Sequence, residues 1–318
     1  MEQYLDELTK IYNIEDKLEN KIFKKMENGL YDDSFLSKFQ QSFITLNLDH
    51  IKELDYKLVE KESAFKEIKN DKLINKIKKV QTIRKSISDY QFDDFKQEFY
   101  ATELLKENFN IIIDKYKDIK VEHKYAMMTD KLSYEFITDK SIIINKLPKD
   151  KKLLDTIIYD FLSAQISEKF SNEYINYILN IVNSIKKGKS VILYIYFAPH
   201  IKTMYNLYIL LCHLFKSVDI YFPLNMSITN NKSIIICYNK VNEIKIIPNK
   251  IYGIDINNSH LDYEKKMLKF ELEIFRFIKS CLEVLLYLML VKEKDELKYN
   301  IIKYKILYKI YPKMLYTK

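Results

Sequence analysis

Tryptophan is absent from this chain, and glycine occurs 3 times and proline 5 times in 318 residues. The glycines stand alone, at Gly29, Gly188 and Gly253. Isolated glycines cannot build a GxGxxG turn or a P-loop, both of which bring backbone amides close to phosphate. Arginine occurs only at Arg84 and Arg276. The cysteines, Cys212, Cys237 and Cys281, are widely spaced inside apolar runs and form no CxxC pair. They read as small buried hydrophobes of a reducing compartment, so a cytoplasmic location is expected, with no disulfide. His50, His123, His200, His213 and His260 are scattered singly, and neither HExxH nor a Cys/His cluster offers metal-ligand spacing; no metal is expected. His213 lies in an apolar helical run and reads as a packed core residue. His200 follows a strand in a Pro–His turn, a position suited to function, but without a visible partner. The start, MEQYLDELTK, is charged and amphipathic, so no signal peptide is expected. The apolar run CLEVLLYLMLV is about half a bilayer span and contains Glu283; it reads as a core helix, and no membrane partner is expected.

What is present is enough for a large core: 47% of residues are hydrophobic. Lys, Ile, Asn and Tyr are abundant, the residues an AT-rich coding sequence supplies, which weakens any argument from lysine number alone. The net charge of +8 still favours a polyanionic partner over a cationic one.

Three regions are expected. Residues 1–120 are helix-patterned, with Leu5, Leu8, Tyr12, Leu18, Ile22 and Met26 at three- and four-residue spacing. Asp32, Asp33 and Ser34 form a loop and N-cap cluster before a helix over FLSKFQQSFITL, and HIKELDYKLVEKESAFKEIKN reads as a charged, solvent-facing helix. LINKIKKVQTIRKSI crowds Lys76, Lys78, Lys79, Arg84 and Lys85, a basic helix that is either an RNA contact or a solvated face. Residues 121–260 change to α/β character. SIIIN and LLDTIIYDF, ending near Asp160, read as strands. NEYINYILNIVNSIKKG reads as a helix stopped by Lys186, Lys187 and Gly188. Lys186, Lys187 and Lys189 are further RNA candidates. Residues 261–318 read as a long helix and a lysine–tyrosine-rich tail. In that tail, 297–318 carries Tyr299, Tyr304, Tyr308, Tyr311 and Tyr316, as a docking surface or as a helix packed on its own domain.

From Gly188 to Lys240 the pattern is strand (VILYIY), helix (KTMYNLYILLCHLFK), strand (SVDIYF), polar loop and strand (KSIIICY), the last two able to pair as an antiparallel edge. In order, spacing and the pair Phe222–Pro223, this segment resembles the second half of an FtsJ-type RNA 2′-O-methyltransferase. The resemblance implies a Rossmann-like methyltransferase sheet with an antiparallel edge, here preceded by the helix-patterned N-terminal region and followed by C-terminal helices. In that family a Lys–Asp–Lys–Glu set activates a ribose hydroxyl. Carried over, Asp160 takes the aspartate position, Tyr194 stands where the second lysine would be and Lys232 where the glutamate would be. The first lysine has no assignable counterpart, and the glycine-rich cofactor loop is absent. A tyrosine with a pKa of about 10 is a poor base at neutral pH, and a lysine for a glutamate reverses the local charge.

The phrase LYILLCHLFKSVDIYFP, the missing glycine loop and the helical C-terminus are similar to the small subunit of poxvirus-type mRNA-capping enzymes. That likeness implies a non-catalytic subunit, without cofactor, that stimulates a guanine-N7 methyltransferase partner. Two alternatives stay open. One is an active RNA 2′-O-methyltransferase that uses S-adenosylmethionine, with Lys140 or Lys149 near Asp160. The other is a helical scaffold in which the α/β segment is incidental.

Overall fold

The computed structural model describes residues 43–60, 68–69, 71–88, 125–128, 141–143, 156–160, 171–224, 232–246, 252–258 and 260–301, with isolated helical positions at 20, 21 and 24. Their fold is mixed α/β. The strands are β1 (Phe43–Asp49), β2 (Tyr56–Val59), β3 (Tyr125–Met128), β4 (Ser141–Ile143), β5 (Thr156–Asp160), β6 (Ser190–Tyr196), β7 (Phe215–Pro223), β8 (Lys232–Lys240) and β9 (Gly253–Ile256). The helices are α1 (Asp71–Ser88), α2 (Ser171–Ser184), α3 (Lys202–Leu214) and α4 (Leu261–Lys294).

Seven strands form one sheet in the order β1-β7-β8-β6-β5-β3-β4, and β2 pairs with β9 in a separate two-stranded sheet. β4, β3, β5 and β6 are parallel. The chain steps outward from β3 to β4, then crosses back to place β5 and β6 on the other side of β3. β8 is antiparallel to both β6 and β7, so β7 runs in the direction of β6. β1 closes the row, antiparallel to β7.

The strands expected at VILYIY, SVDIYF and KSIIICY therefore share one sheet. The last two pair antiparallel as expected, but they are not its edge: β8 is interior and β1 lies outside β7. Within residues 1–120 the helical expectation holds for Asp71–Ser88 and fails at two stretches. Phe43–Asp49, placed at the end of a helix by FLSKFQQSFITL, is a strand, and Tyr56–Val59, placed within a charged helix, is another. The reason lies in period. Phe35, Phe39, Phe43 and Leu46 satisfy helical spacing, while Ile44, Leu46 and Leu48 satisfy alternation. Pairing with β7 along seven residues decides for alternation: Leu48 is buried, and Thr45, Asn47 and Asp49 are exposed. The cluster Asp32, Asp33 and Ser34 lies outside the described residues.

One core joins sheet and helices. On the sheet it takes Val191, Leu193 and Ile195 of β6, Ile235 and Cys237 of β8, and Val218, Ile220 and Phe222 of β7. Alternate residues Ile192, Ile234, Ile236 and Tyr221 are equally buried on the other face. α4 supplies Met267, Leu268, Ile274, Phe275 and Ile278, and its Phe270 and Phe277 meet Phe197 and Phe222 edge-on. All three cysteines are free and buried, and burial pushes their thiols up. Glu283 is buried in α4, where Lys279 Nζ donates to its Oε1 at 2.6 Å. No helix among the described residues is long and apolar enough to cross a membrane.

Buried polar groups fix the connections. Asn176 of α2 forms a two-bond clamp with Tyr252: its Nδ2 donates to the Tyr252 carbonyl at 3.0 Å, and its Oδ1 accepts from the Tyr252 N–H at 2.8 Å. Asn206 of α3 donates to the Ile254 carbonyl at 2.6 Å, so two helices hold β9. Lys240 is fully buried, and its Nζ donates to the Val182 and Ile185 carbonyls that end α2, and to the half-exposed Glu243 carboxylate. This satisfies carbonyls a helix end leaves open. Gly188, at φ 84, makes the left-handed turn into β6 and donates to the Lys240 carbonyl at 2.7 Å.

Candidate functional site

The end of the sheet at which β5 and β6 finish gathers the positions singled out from the resemblance. Asp160, the last residue of β5, stands opposite Tyr194. Tyr194 stands opposite Ile234, and Lys232, the first residue of β8, opposite Tyr196. Adjacent strands are about 4.8 Å apart and residues rise about 3.3 Å each, so Asp160 and Tyr194 are neighbours and Lys232 is about 8 Å from Tyr194 along the backbone. Lys140 and Lys149 lie outside the described residues.

Beyond this end, β6 turns into α3 through Phe197, Ala198, Pro199 and His200. Tyr208 of α3 braces the exit: its hydroxyl donates to the Tyr196 carbonyl at 2.9 Å and accepts from the Ala198 N–H at 3.3 Å. His200, for which the sequence showed no partner, has one in Glu271 of α4. His200 Nδ1 lies 2.5 Å from Glu271 Oε1, and the His200 N–H donates to Oε2 at 3.1 Å. The Glu271 side chain is 0% exposed. Burial raises its carboxyl above the ordinary carboxylate value, and the neighbouring His200 opposes that rise. The carboxylate grips both the ring and the backbone of one residue. Its chemistry is that of an orienting group that fixes the turn, because the imidazole itself is nearly enclosed. A signal for Glu271 was present in the sequence: it occupies the apolar stripe Met267, Leu268, Ile274, Phe275 and Ile278 at helical spacing.

The RNA candidates do not converge. Lys186 and Lys187 are exposed and Lys189 half-buried in the turn that enters β6, at the opposite end from Asp160, Tyr194 and Lys232. Lys76, Lys78 and Lys79 are exposed on α1, and Arg84 and Lys85 continue that helix. α1 is tied to the first end: the Ile68 N–H, just before it, donates to the His200 carbonyl at 3.1 Å.

His50 and His213 are structural. His213 Nδ1 lies 2.9 Å from the Ile51 carbonyl, and His50 Nδ1 lies within 3.1 Å of both the Cys212 and Phe215 carbonyls. The two rings stack, so they clasp the end of α3 against the chain after β1. His213 is half-buried rather than enclosed. His260 precedes α4, where burial lowers its pKa, and His123 lies outside the described residues. Among the described residues no cluster of three or more His, Cys, Asp or Glu could hold a metal ion.

The tail begins inside the core. Tyr299 is buried, with Lys292 Nζ 5.6 Å from its ring centroid, while Leu297 and Ile301 are exposed. Tyr304, Tyr308, Tyr311 and Tyr316 lie outside the described residues.

No protein-family model matches the chain, and no curated protein matches it.

Proposed function

We propose that the chain is a non-catalytic, methyltransferase-fold subunit that binds and stimulates an mRNA-capping guanine-N7 methyltransferase. One observation carries the reading. Asp160, Tyr194 and Lys232 stand at one end of one sheet, and two of the three residue types are wrong for the catalysis the resemblance implies. A protonated tyrosine does not take a proton from a ribose hydroxyl at neutral pH, and a lysine in place of a glutamate repels a cationic base.

The sheet order supports a Rossmann-like origin. Four parallel strands reverse direction of build between β3 and β5, and a ligand crevice belongs beyond the carboxyl ends at such a reversal. The residues there do not fit S-adenosylmethionine. None of the chain's glycines lies between β3 and α2, where close backbone approach to a nucleoside would need one.

Two measurements test the reading. Calorimetry on the isolated chain with S-adenosylmethionine should show no tight binding. Methyl transfer to guanine-capped RNA by a poxvirus-type catalytic subunit should rise when the chain is added. Tight cofactor binding, or 2′-O-methyl transfer by the chain alone that Asp160→Ala abolishes, would replace this reading with that of an active 2′-O-methyltransferase.

A further inference from the structure

Over residues 72–80 α1 divides by face, and Ile83 beyond them returns to the core. Ile74 and Ile77 are buried, Leu73 and Val80 are half-buried against the core, and α1 packs along α4. On the opposite face Lys72, Lys76 and Lys79 are all exposed. At 100° per residue these three fall within a 60° sector, and at 1.5 Å rise per residue they line up over about 10 Å. Among the described residues they make no ion pair. The only acid in the 18-residue helix is Asp71, at its first position. Like charges one turn apart oppose helix formation, so the stripe is a local cost that an anionic partner would remove.

The stripe's neighbours narrow the partner. Asn75 flanks it, exposed and able to donate to oxygen, while the Thr82 hydroxyl is given to the Lys78 carbonyl at 2.9 Å. Among the described residues no large hydrophobic side chain is exposed on α1; those that are exposed are Leu261, Leu297 and Ile301, all elsewhere. A protein interface needs an apolar or aromatic centre, which this face lacks. It also lacks an aromatic on which a base could stack. Lysines in line beside one exposed amide fit a run of phosphates, a contact that positions a strand without reading its bases. The helix starts where Ile68 meets His200, beyond the end of the sheet that carries Asp160, Tyr194 and Lys232. A strand lying on it would lead toward that end.

We infer that the Lys72–Lys76–Lys79 face of α1 binds the phosphodiester backbone of single-stranded RNA. The choice of RNA as the source of the phosphates rests on the capping reading above; the phosphate contact itself does not.

The test is fluorescence anisotropy of a labelled 20-nucleotide RNA with the full chain, titrated over salt. Each lysine–phosphate contact on a single strand contributes about 0.7 to the slope of log K against log salt. The combined variant Lys72→Gln, Lys76→Gln, Lys79→Gln should therefore lose about 2 from that slope. A control with Lys245→Gln, Lys265→Gln and Lys269→Gln removes equal charge from exposed sites elsewhere and should keep the wild-type slope. Equal losses in the two variants, or none in the stripe variant, overturn the inference. So does binding of poly-glutamate in preference to RNA, which would make the face protein-directed. Equal binding of DNA of the same sequence keeps the phosphate contact and overturns its assignment to RNA. Stimulation of the catalytic subunit on a capped dinucleotide too short to reach α1 reports on the capping reading separately. A chain that fails there but shows the slope change loses the capping reading and keeps the phosphate contact.

Discussion

Replacing Asn176 with leucine removes both bonds of the clamp on Tyr252 while nearly preserving side-chain shape. The two backbone groups it serves lie in a residue that is 5% exposed, so water does not readily replace the lost partner. A buried donor or acceptor left unmade costs about 1–3 kcal/mol, and the leucine regains part of this through apolar burial. The expected net loss is about 2–4 kcal/mol. Urea denaturation followed by far-UV circular dichroism measures it as a lower midpoint at unchanged m-value. Asn180→Leu is the internal control. Its Nδ2 donates to the Asn176 carbonyl one turn back in the same helix, a bond the helix does not need, and the expected change is within about 0.5 kcal/mol. If Asn176→Leu costs less than about 1 kcal/mol, or no more than the control, then apolar packing rather than the clamp holds β9.

Two further predictions concern backbone and charge. Gly188→Ala should cost about 1–2 kcal/mol, the left-handed penalty alone, because nothing lies within 4 Å of the added methyl; Asn239→Gly, at φ 54, should shift the thermal midpoint little, and a larger loss there than at Gly188 would refute the assignment of strain. For Glu271, the folded carboxyl sits above its ordinary 4.5, so its contribution is complete below that value and is lost as pH rises through the raised one. Stability of the wild type relative to Glu271→Gln should therefore fall on going from pH 4 to neutrality, and the reverse slope would mean that the pull of His200 outweighs burial.

The sequence was readable where local signals agree with tertiary ones. β6, α3, β7 and β8 fall on the expected segments because each holds a dense apolar run bounded by polar residues or by Pro199 and Pro223. Strands at β4 and β5, the helix α2 with its stop at Gly188, and the long helix α4 were readable for the same reason. β1 was not, because its apolar residues fit two periods that share Leu46, and only a distant strand chooses between them. β9 was not, because asparagines on two helices hold its backbone and nothing in Gly253–Ile256 announces them. At the candidate site, the sequence put Asp160, Tyr194 and Lys232 on or at the ends of strands, but their register depends on a strand order that no local pattern carries. The grip of Glu271 on His200 joins residues 71 apart, and short-range pattern carries no such pairing.

The pairing of β1 with β7 sets a timetable for synthesis. Asn47 and Asp219, whose side chains meet at 2.5 Å, are separated by 172 positions. At about 5–20 residues per second, a ribosome needs roughly 10–35 s to make the intervening chain. Through that interval β1 is an apolar-faced strand with no partner, and such strands recruit other chains. Lysines and glutamates close behind it, from Lys52 to Glu62, are charges of the kind that discourage such pairing. Yield in a fast-translating host should thus depend on how long this strand waits, and slower elongation after residue 60 would prolong its exposure rather than relieve it.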